Sequence, residues 1–416
     1  MGKARLWFAA REHIILCLIV LAVLVLHLLI LTNPPASVGD EHFYTSDAKS
    51  FLAGTGVERP EHPPLGIWFI AAGMFVFGDN AVGWRSFPIV FGIAAIFLFY
   101  FICRRLVRQE SDGEAGGPSQ PEKGLLVSTF VPVLATFLFA FENLSFVQSH
   151  IAMLDVFYVT FMLLGFLLYL RGSYPWAGAI MGLSMLSKPM GLLGVLAILM
   201  HWLVTRRSER LGIVKLVGFV VVVWFGLLAL LEYPASQQWA SPISRTWEML
   251  TTHLSLKANV GTSSLTASPP WVWVTNPMSD AYYILPHYLT GVGWIQWSLI
   301  LPSMTYVFYK AATSHRKTGV PRFVLSWFGG VWGLLIVLEL VTNRKMFQYY
   351  FYPAIPAVCL AIAWGAWNVG NAAQRGARSK VAFLIGLGLL VVGTLVVFVI
   401  MSPYGTNMIG SLNINE

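Results

Sequence analysis

Charge is scarce in this chain: only 11% of its 416 residues are Asp, Glu, Lys or Arg, against about 25% in soluble globular proteins. With 56% hydrophobic residues and a mean hydropathy of +0.68, an ordinary soluble domain is excluded. Cysteine is almost missing as well. Cys17, Cys103 and Cys359 lie in or at the ends of apolar runs without paired spacing, which excludes a disulfide scaffold and reads as free thiols. There is no internal repeat, as a transporter built from inverted halves would show. There is also no dense His, Cys, Asp and Glu spacing of the kind that marks a metal cage.

Long apolar runs are what the chain has instead. Eleven are expected to form helical spans, at about 13–32, 82–103, 124–141, 153–170, 174–187, 190–205, 213–231, 286–309, 323–341, 350–368 and 381–402. The fold class is therefore an all-α polytopic membrane protein in a single domain over 1–416. The first run is too long for a signal-peptide core and lacks a small-residue cleavage site, so it is expected to stay as an anchor. Most of the 27 lysines and arginines fall in alternate connections, such as Arg104, Arg105, Arg108, Arg206, Arg207, Arg210 and Lys215. The positive-inside rule then puts the N-terminus in the cytoplasm and the C-terminus outside. The net charge of +8 is a topology signal here and not a sign of nucleic acid.

Three connections are long: an external loop at 33–81, a cytoplasmic linker at 105–123 that is Gly-, Pro- and Glu-rich, and a second external loop at 233–285. Within the first, Pro64–Gly78 is apolar but short and reads as a re-entrant or interfacial helix. Within the second, Ile243–Ala258 has amphipathic spacing. The tryptophans Trp239, Trp247, Trp271 and Trp273 suit either an interfacial belt or a lipid-substrate surface.

The charged residues that break the positive-inside pattern carry the functional signal. Asp40, Glu41, Glu61, His62, Arg85, Asp155, Lys188, Arg344 and Lys345 come from six chain segments, yet all fall at the outer ends of spans. Carboxylates at a bilayer surface are costly, and a plain scaffold has no use for them there. Acids in that setting can deprotonate a hydroxyl or hold a divalent metal, and bases can clamp a phosphate. Glu61 with a distant histidine such as His253 leaves a metal open without specifying one.

Three strings then appear in order: Gly39-Asp-Glu-His-Phe-Tyr44, Glu61-His-Pro-Pro-Leu-Gly66 and Gly83-Trp-Arg-Ser-Phe-Pro88. With Met153-Leu-Asp155, Ser187-Lys-Pro-Met-Gly191 and the basic-then-aromatic Arg344–Pro353, the chain resembles the protein O-mannosyltransferase family. That family belongs to the GT-C membrane glycosyltransferases. The chain lacks room in 233–285 for the large external MIR domain of eukaryotic members and resembles a compact prokaryotic form. Glu61-His-Pro-Pro also sits between that family's His-Pro-Pro and the Glu-Lys-Pro-Pro of the lipid A aminoarabinose transferases, which leaves the acceptor class open.

The resemblance implies a polyprenyl-phosphate sugar as donor, a protein, lipid or glycan hydroxyl as acceptor, and inversion at C1 in the outer face of a plasma membrane. By the same resemblance Asp40 would be the base, with Glu41 and Asp155 as companion acids. Glu61, His62, Arg85, Lys188, Arg344 and Lys345 would hold the donor. A polyprenyl-lipid flippase, using the bases to bind phosphate without breaking a bond, is the competing class.

Overall fold

The computed structural model describes residues 11–56, 58–59, 61–112, 121–236, 239, 241–255, 267–277, 281–283, 288–314, 319–344, 346–374 and 376–404. Hydrocarbon offers no partner to backbone N–H and C=O groups, so apolar runs of this length close their hydrogen bonds within helices. In order these are α1 (Glu12–Leu29), α2 (Glu41–Ala53), α3 (Leu65–Phe77), α4 (Ala81–Asp112), α5 (Pro121–Ala140) and α6 (Asn143–His150). Next come α7 (Asp155–Leu170), α8 (Tyr174–Ser187), α9 (Leu192–Thr205), α10 (Arg210–Ser236), α11 (Pro242–Ser255) and α12 (Val272–Thr275). The series ends with α13 (Trp294–Thr313), α14 (Val320–Phe328), α15 (Leu334–Thr342), α16 (Ile355–Ala373) and α17 (Ala377–Met401). Between α12 and α13, β1 (Ala281–Tyr283) pairs antiparallel with β2 (Tyr288–Leu289).

Each of the eleven expected spans falls on a helix, but not all of them cross alone. Among the described residues six helical runs are long and apolar enough, namely α1, α4, α10, Val320–Thr342, Gln348–Ala373 and α17, and α5 with α6 makes a seventh if that bent pair is one span. The 16-residue α7 is shorter: at ~1.5 Å per residue it falls short of a core ~30 Å thick. It is buried along nearly its whole length, packed against α4 and α8. Protein, not lipid, surrounds it.

The α5–α6 pair bends by 62°. Glu142 sits at the bend, where its carboxylate accepts from Leu144 N (3.1 Å), Ser145 N (2.7 Å) and, from across the molecule, Gly293 N (2.9 Å). Capping the orphan amides of α6 is what lets that helix start inside the protein.

Three expectations are corrected. The span expected from 286 begins instead at Trp294, because the chain ahead of it is held extended: Tyr288–Leu289 pairs with β1, and Asn143 Nδ2 donates to the carbonyls of Leu289 and Gly291. The linker expected over 105–123 is shorter, since α4 runs on to Asp112 and α5 starts at Pro121. Arg104 pairs with Glu12 at 2.6 Å, while Arg105 and Gln109 donate to Leu170 O, and these contacts carry α4 past its apolar part. Finally, Trp273 belongs to no interfacial belt. It is fully buried, with Nε1 donating to Ser268 Oγ, whereas Trp239, Trp247 and Trp271 are exposed.

Candidate active site

The site is built at one end of the bundle, where helices stop and restart. Gly39 turns the chain into α2 with φ +54°, and its N–H donates to Tyr282 O. A Cβ there would stand 2.8 Å from Tyr282 Cγ, so both the angle and the space call for glycine. The two acids that follow have different fates.

Glu41 is fully buried and consumed by structure. It accepts Val38 N (2.8 Å), Ala152 N (2.9 Å), Arg85 Nε (3.0 Å) and Arg85 Nη2 (2.9 Å). Arg85 is fully buried too. Its Nη1 donates to Leu31 O and Pro34 O, and Nη2 also reaches Ala36 O. A guanidinium has five N–H donors, and here each has a protein acceptor. The geometry therefore corrects the expectation that Arg85 clamps phosphate: it pins the first loop to α4. Glu41 is likewise no base, for its lone pairs are taken.

Asp40 is the reverse case. It stands at the N-cap of α2 without making a side-chain cap hydrogen bond, and its carboxylate accepts none from the described residues. Burial pushes its carboxyl above the ordinary value, against the opposing charges of Lys188, His42 and Arg59. Tyr44, one helical turn on, is buried, and its phenol is raised well above the ordinary value by burial and then by Asp155 and Asp40.

Asp155 opens α7 just after the break at Ile151–Leu154, the same break that lends Ala152 N to Glu41. Both its oxygens take hydrogen bonds from Lys188 Nζ, at 2.9 and 2.8 Å. Lys188 occupies the extended residue between α8 and a short 3-10 turn, Pro189–Gly191. The pair is buried, and Nζ lies 5.1 Å from the Tyr349 ring centroid and 5.3 Å from that of Tyr350. Two of the ammonium's three protons go to Asp155, which leaves one to offer.

The Pro63-Pro64-Leu65-Gly66 turn brings α3 against both breaks. A Cβ on Gly66 would stand 2.7 Å from Leu154 Cδ2 and 2.9 Å from Ser187 O, so only glycine lets the re-entrant helix seat there. This close approach delivers His62, which is held well below its ordinary pKa by burial and by Lys188, His253, Arg344 and Arg59. Glu61, on the same turn, is half-buried.

From the second half of the chain comes Arg344, behind the left-handed Asn343 that ends α15. It is buried, has no hydrogen bond or ion pair among the described residues, and its guanidinium carbon lies 5.9 Å from the Tyr350 ring. Lys345 lies outside the described residues.

Asp40, His62, Asp155, Lys188 and Arg344 are thus brought together, while Glu41 and Arg85 form a separate structural layer. Among the described residues no three of His, Cys, Asp or Glu gather as a metal cage. The described residues thus offer no cage for a divalent metal, and His253 meets His62, ring centroids 5.7 Å apart. Tyr44 and the Tyr349–Tyr350 pair stand in the sequence only as parts of longer strings, with no role of their own. Tyr44 follows Asp40 by four residues at the start of a helix, a spacing that announces a shared face.

The profile of glycosyltransferase family 87 matches residues 63–300, more than half of the chain. The chain belongs to glycosyltransferase family 87. The matched stretch of this family 87 chain holds Asp155, Lys188 and His253 but stops short of Asp40 and Arg344. A polyprenol-phosphate-mannose–protein mannosyltransferase of Mycolicibacterium smegmatis is 33% identical over 141 residues, covering 32% of this chain and 24% of that protein. The match thus spans about a quarter of that relative's length. An undecaprenyl phosphate-alpha-4-amino-4-deoxy-L-arabinose arabinosyl transferase of Pseudomonas aeruginosa is 25% identical over 407 residues, 93% of this chain and 66% of that protein.

Among solved structures, a chain of the S. cerevisiae protein O-mannosyltransferase Pmt1-Pmt2 complex, bound to the sugar donor, superposes with a TM-score of 0.74 at 11% identity, covering 95% of this chain and 90% of that one. ArnT from Cupriavidus metallidurans, bound to undecaprenyl phosphate, gives 0.57 at 16% identity, covering 95% and 78%. At these identities the likeness establishes the fold, which is the GT-C architecture of polytopic membrane glycosyltransferases.

Proposed function

We propose that this chain transfers a sugar, mannose or a similar hexose, from a polyprenyl-phosphate donor to an acceptor hydroxyl on the outer face of the membrane, with the N-terminus cytoplasmic. One observation carries the reading: Asp40, whose carboxylate has no hydrogen-bond partner among the described residues, bears on the Lys188–Asp155 pair, with Arg344, unpaired among the same residues, alongside. An acceptor hydroxyl must lose its proton as its oxygen attacks C1, and Asp40 is the group free to take it. The C1–O bond to phosphate breaks, its electron pair leaves with the phosphate, and Lys188 and Arg344 face the charge that grows there. One displacement by the acceptor, with no enzyme nucleophile, gives inversion at C1. Asp155 holds the ammonium in place and takes no part in bond making.

The acceptor favoured is a protein serine or threonine, as the name of the Mycolicibacterium relative suggests. A lipid or glycan acceptor is the second reading, favoured by the arabinosyl transferase likeness that runs over 93% of this chain. Flipping of a polyprenyl lipid gives Asp40 no task.

The test offers the purified protein a radiolabelled polyprenyl-phosphate mannose with a Ser/Thr peptide in one arm and a lipid A-type glycolipid in the other. Label on the peptide supports the first reading and label on the glycolipid the second. Label on neither, with intact donor bound, sinks transfer and leaves transport.

A further inference from the structure

The turn ahead of α3 and the far end of α11 meet at a pair of imidazoles. His62 and His253 stand edge to face at 5.7 Å, and Nδ1 of each is buried without a hydrogen-bond partner among the described residues. Arg344 Nε is buried and, among the same residues, unpartnered as well. His253 is 9% exposed and Arg344 8%. Nitrogens left unpaired in a buried setting are costly, and these three, from three chain segments, have no partner among the described residues; an incoming anion would give a protonated ring and the guanidinium one.

The charges around the pair name its sign. Lys188, Arg344 and Arg59 bear on His62, and Arg344 and Lys188 on His253; Tyr44 packs on His62 with ring centroids 5.6 Å apart. Of the site's carboxylates, Asp155 accepts from Lys188 Nζ with both oxygens, and Asp40 bears on both members of that pair. The element that brings His253 is itself fixed. In α11, Arg245 donates to Glu232 Oε1 and to Glu248 Oε2, both at 2.8 Å, and Met249 is buried against α10, so the inner face that ends in His253 is set by packing.

We propose that His62 and His253 form an imidazole pair that binds the donor's phosphate diester by taking up a proton from solution, joining Lys188 and Arg344 as its ligands. This rests on the donor reading above and adds to it a residue from the second external loop. Without an anion, burial and the neighbouring cations keep both rings neutral, His253 at about 4 and His62 well below its ordinary value. A monoanionic diester seated about 4 Å away, at an effective dielectric constant of about 20, raises an imidazole's pKa by roughly 3. That brings His253 into the neutral range. The proton then sits between the rings and the phosphate oxygens, where a charge-assisted hydrogen bond is strong.

Calorimetric titration of the protein in lipid nanodiscs tests this. The probe is a short-chain polyprenyl-phosphate mannose, a diester whose own charge does not change between pH 5 and pH 9. Binding at pH 7 in buffers of different ionisation enthalpy should show uptake of roughly half to one proton per donor. His253→Asn should lose most of that uptake and bind roughly 10-fold more weakly at pH 6.5, the deficit shrinking by pH 8.5. Should that variant fail to fold, His62→Asn and the wild-type titration alone still decide. Asp40→Asn should keep the uptake. Donor binding by the wild type without proton uptake overturns the proposal and spares the donor reading. Uptake that survives loss of both histidines but vanishes in Asp40→Asn overturns it too and gives the proton to the carboxylate. No binding at all overturns the donor reading and the proposal together.

Discussion

Two adjacent acids show how far a residue's surroundings decide its work. Among the described residues, Glu41 accepts four hydrogen bonds and the Asp40 carboxylate none. Asp40→Asn should therefore cut transfer about 10²–10⁴-fold while donor binding survives, measured as single-turnover rate against saturating donor. Its stability should not fall. A carboxyl raised above its unfolded value favours the folded state when protonated, and that contribution is lost as pH rises through the folded pKa. At neutral pH the ionised Asp40 thus burdens the fold, and the amide relieves it. A clear drop in melting temperature would make Asp40 structural. The same shift fixes the sign of the pH profile: turnover should be lost as pH falls, with its acid limb above the ordinary aspartate value.

Arg85 and Arg344 make the opposite contrast. Arg85→Ala strands a buried Glu41 and should cost about 3–5 kcal/mol of stability, seen as a fall in melting temperature, with Arg85→Lys rescuing only part because a point charge cannot replace five donors. Arg344→Ala should leave stability alone and raise the donor KM roughly 10–100-fold, the worth of one charged hydrogen bond. Their sequence signals are identical, an arginine at a span end. Only the folded partners tell them apart.

At the scale of elements, the breaks between short helices do the positioning. Ile151–Leu154 receives Glu41 and presents Asp155, Lys188 projects from the α8 break, and Gly66 lets α3 lie against both. Gly66→Ala should push α3 outward by the clash at Ser187 O, lowering turnover while the protein still inserts. Faster hydrogen exchange over 61–77 with Asp155 and Lys188 unchanged would be the signature, and unaltered exchange with normal turnover would rule the contact out. The elements themselves were legible, because apolar length and the punctuation of Pro and Gly are local signals. Pro64–Gly78 and Ile243–Ala258 came out as α3 and α11, with 256–258 outside the described residues. In sequence His253 is only a distant histidine that with Glu61 leaves a metal open, since nothing local tells that α11 turns it toward His62, nearly two hundred positions earlier. The start of α13 was misplaced for the same reason, a side chain of Asn143 holding distant carbonyls.

For the whole molecule, the proposed topology makes a clean prediction. In a Cys17→Ala background, Glu58→Cys should react with an impermeant maleimide from outside intact cells and Arg171→Cys only after permeabilisation. Labelling of both from one side would invert or break the arrangement. The chain order of the site carries a further consequence, for synthesis. The Asp40 turn, its Arg85 anchor and the Asp155–Lys188 pair are all made within the first 188 residues, but Arg344 leaves the ribosome far later, and Gly293 must reach Glu142 before the two halves are tied. A nascent chain halted between those points carries a base and an ammonium but only part of a seat for phosphate. On the proposed function, donor lipid would find its full seat only after residue 344 has been made and has reached the earlier part of the site.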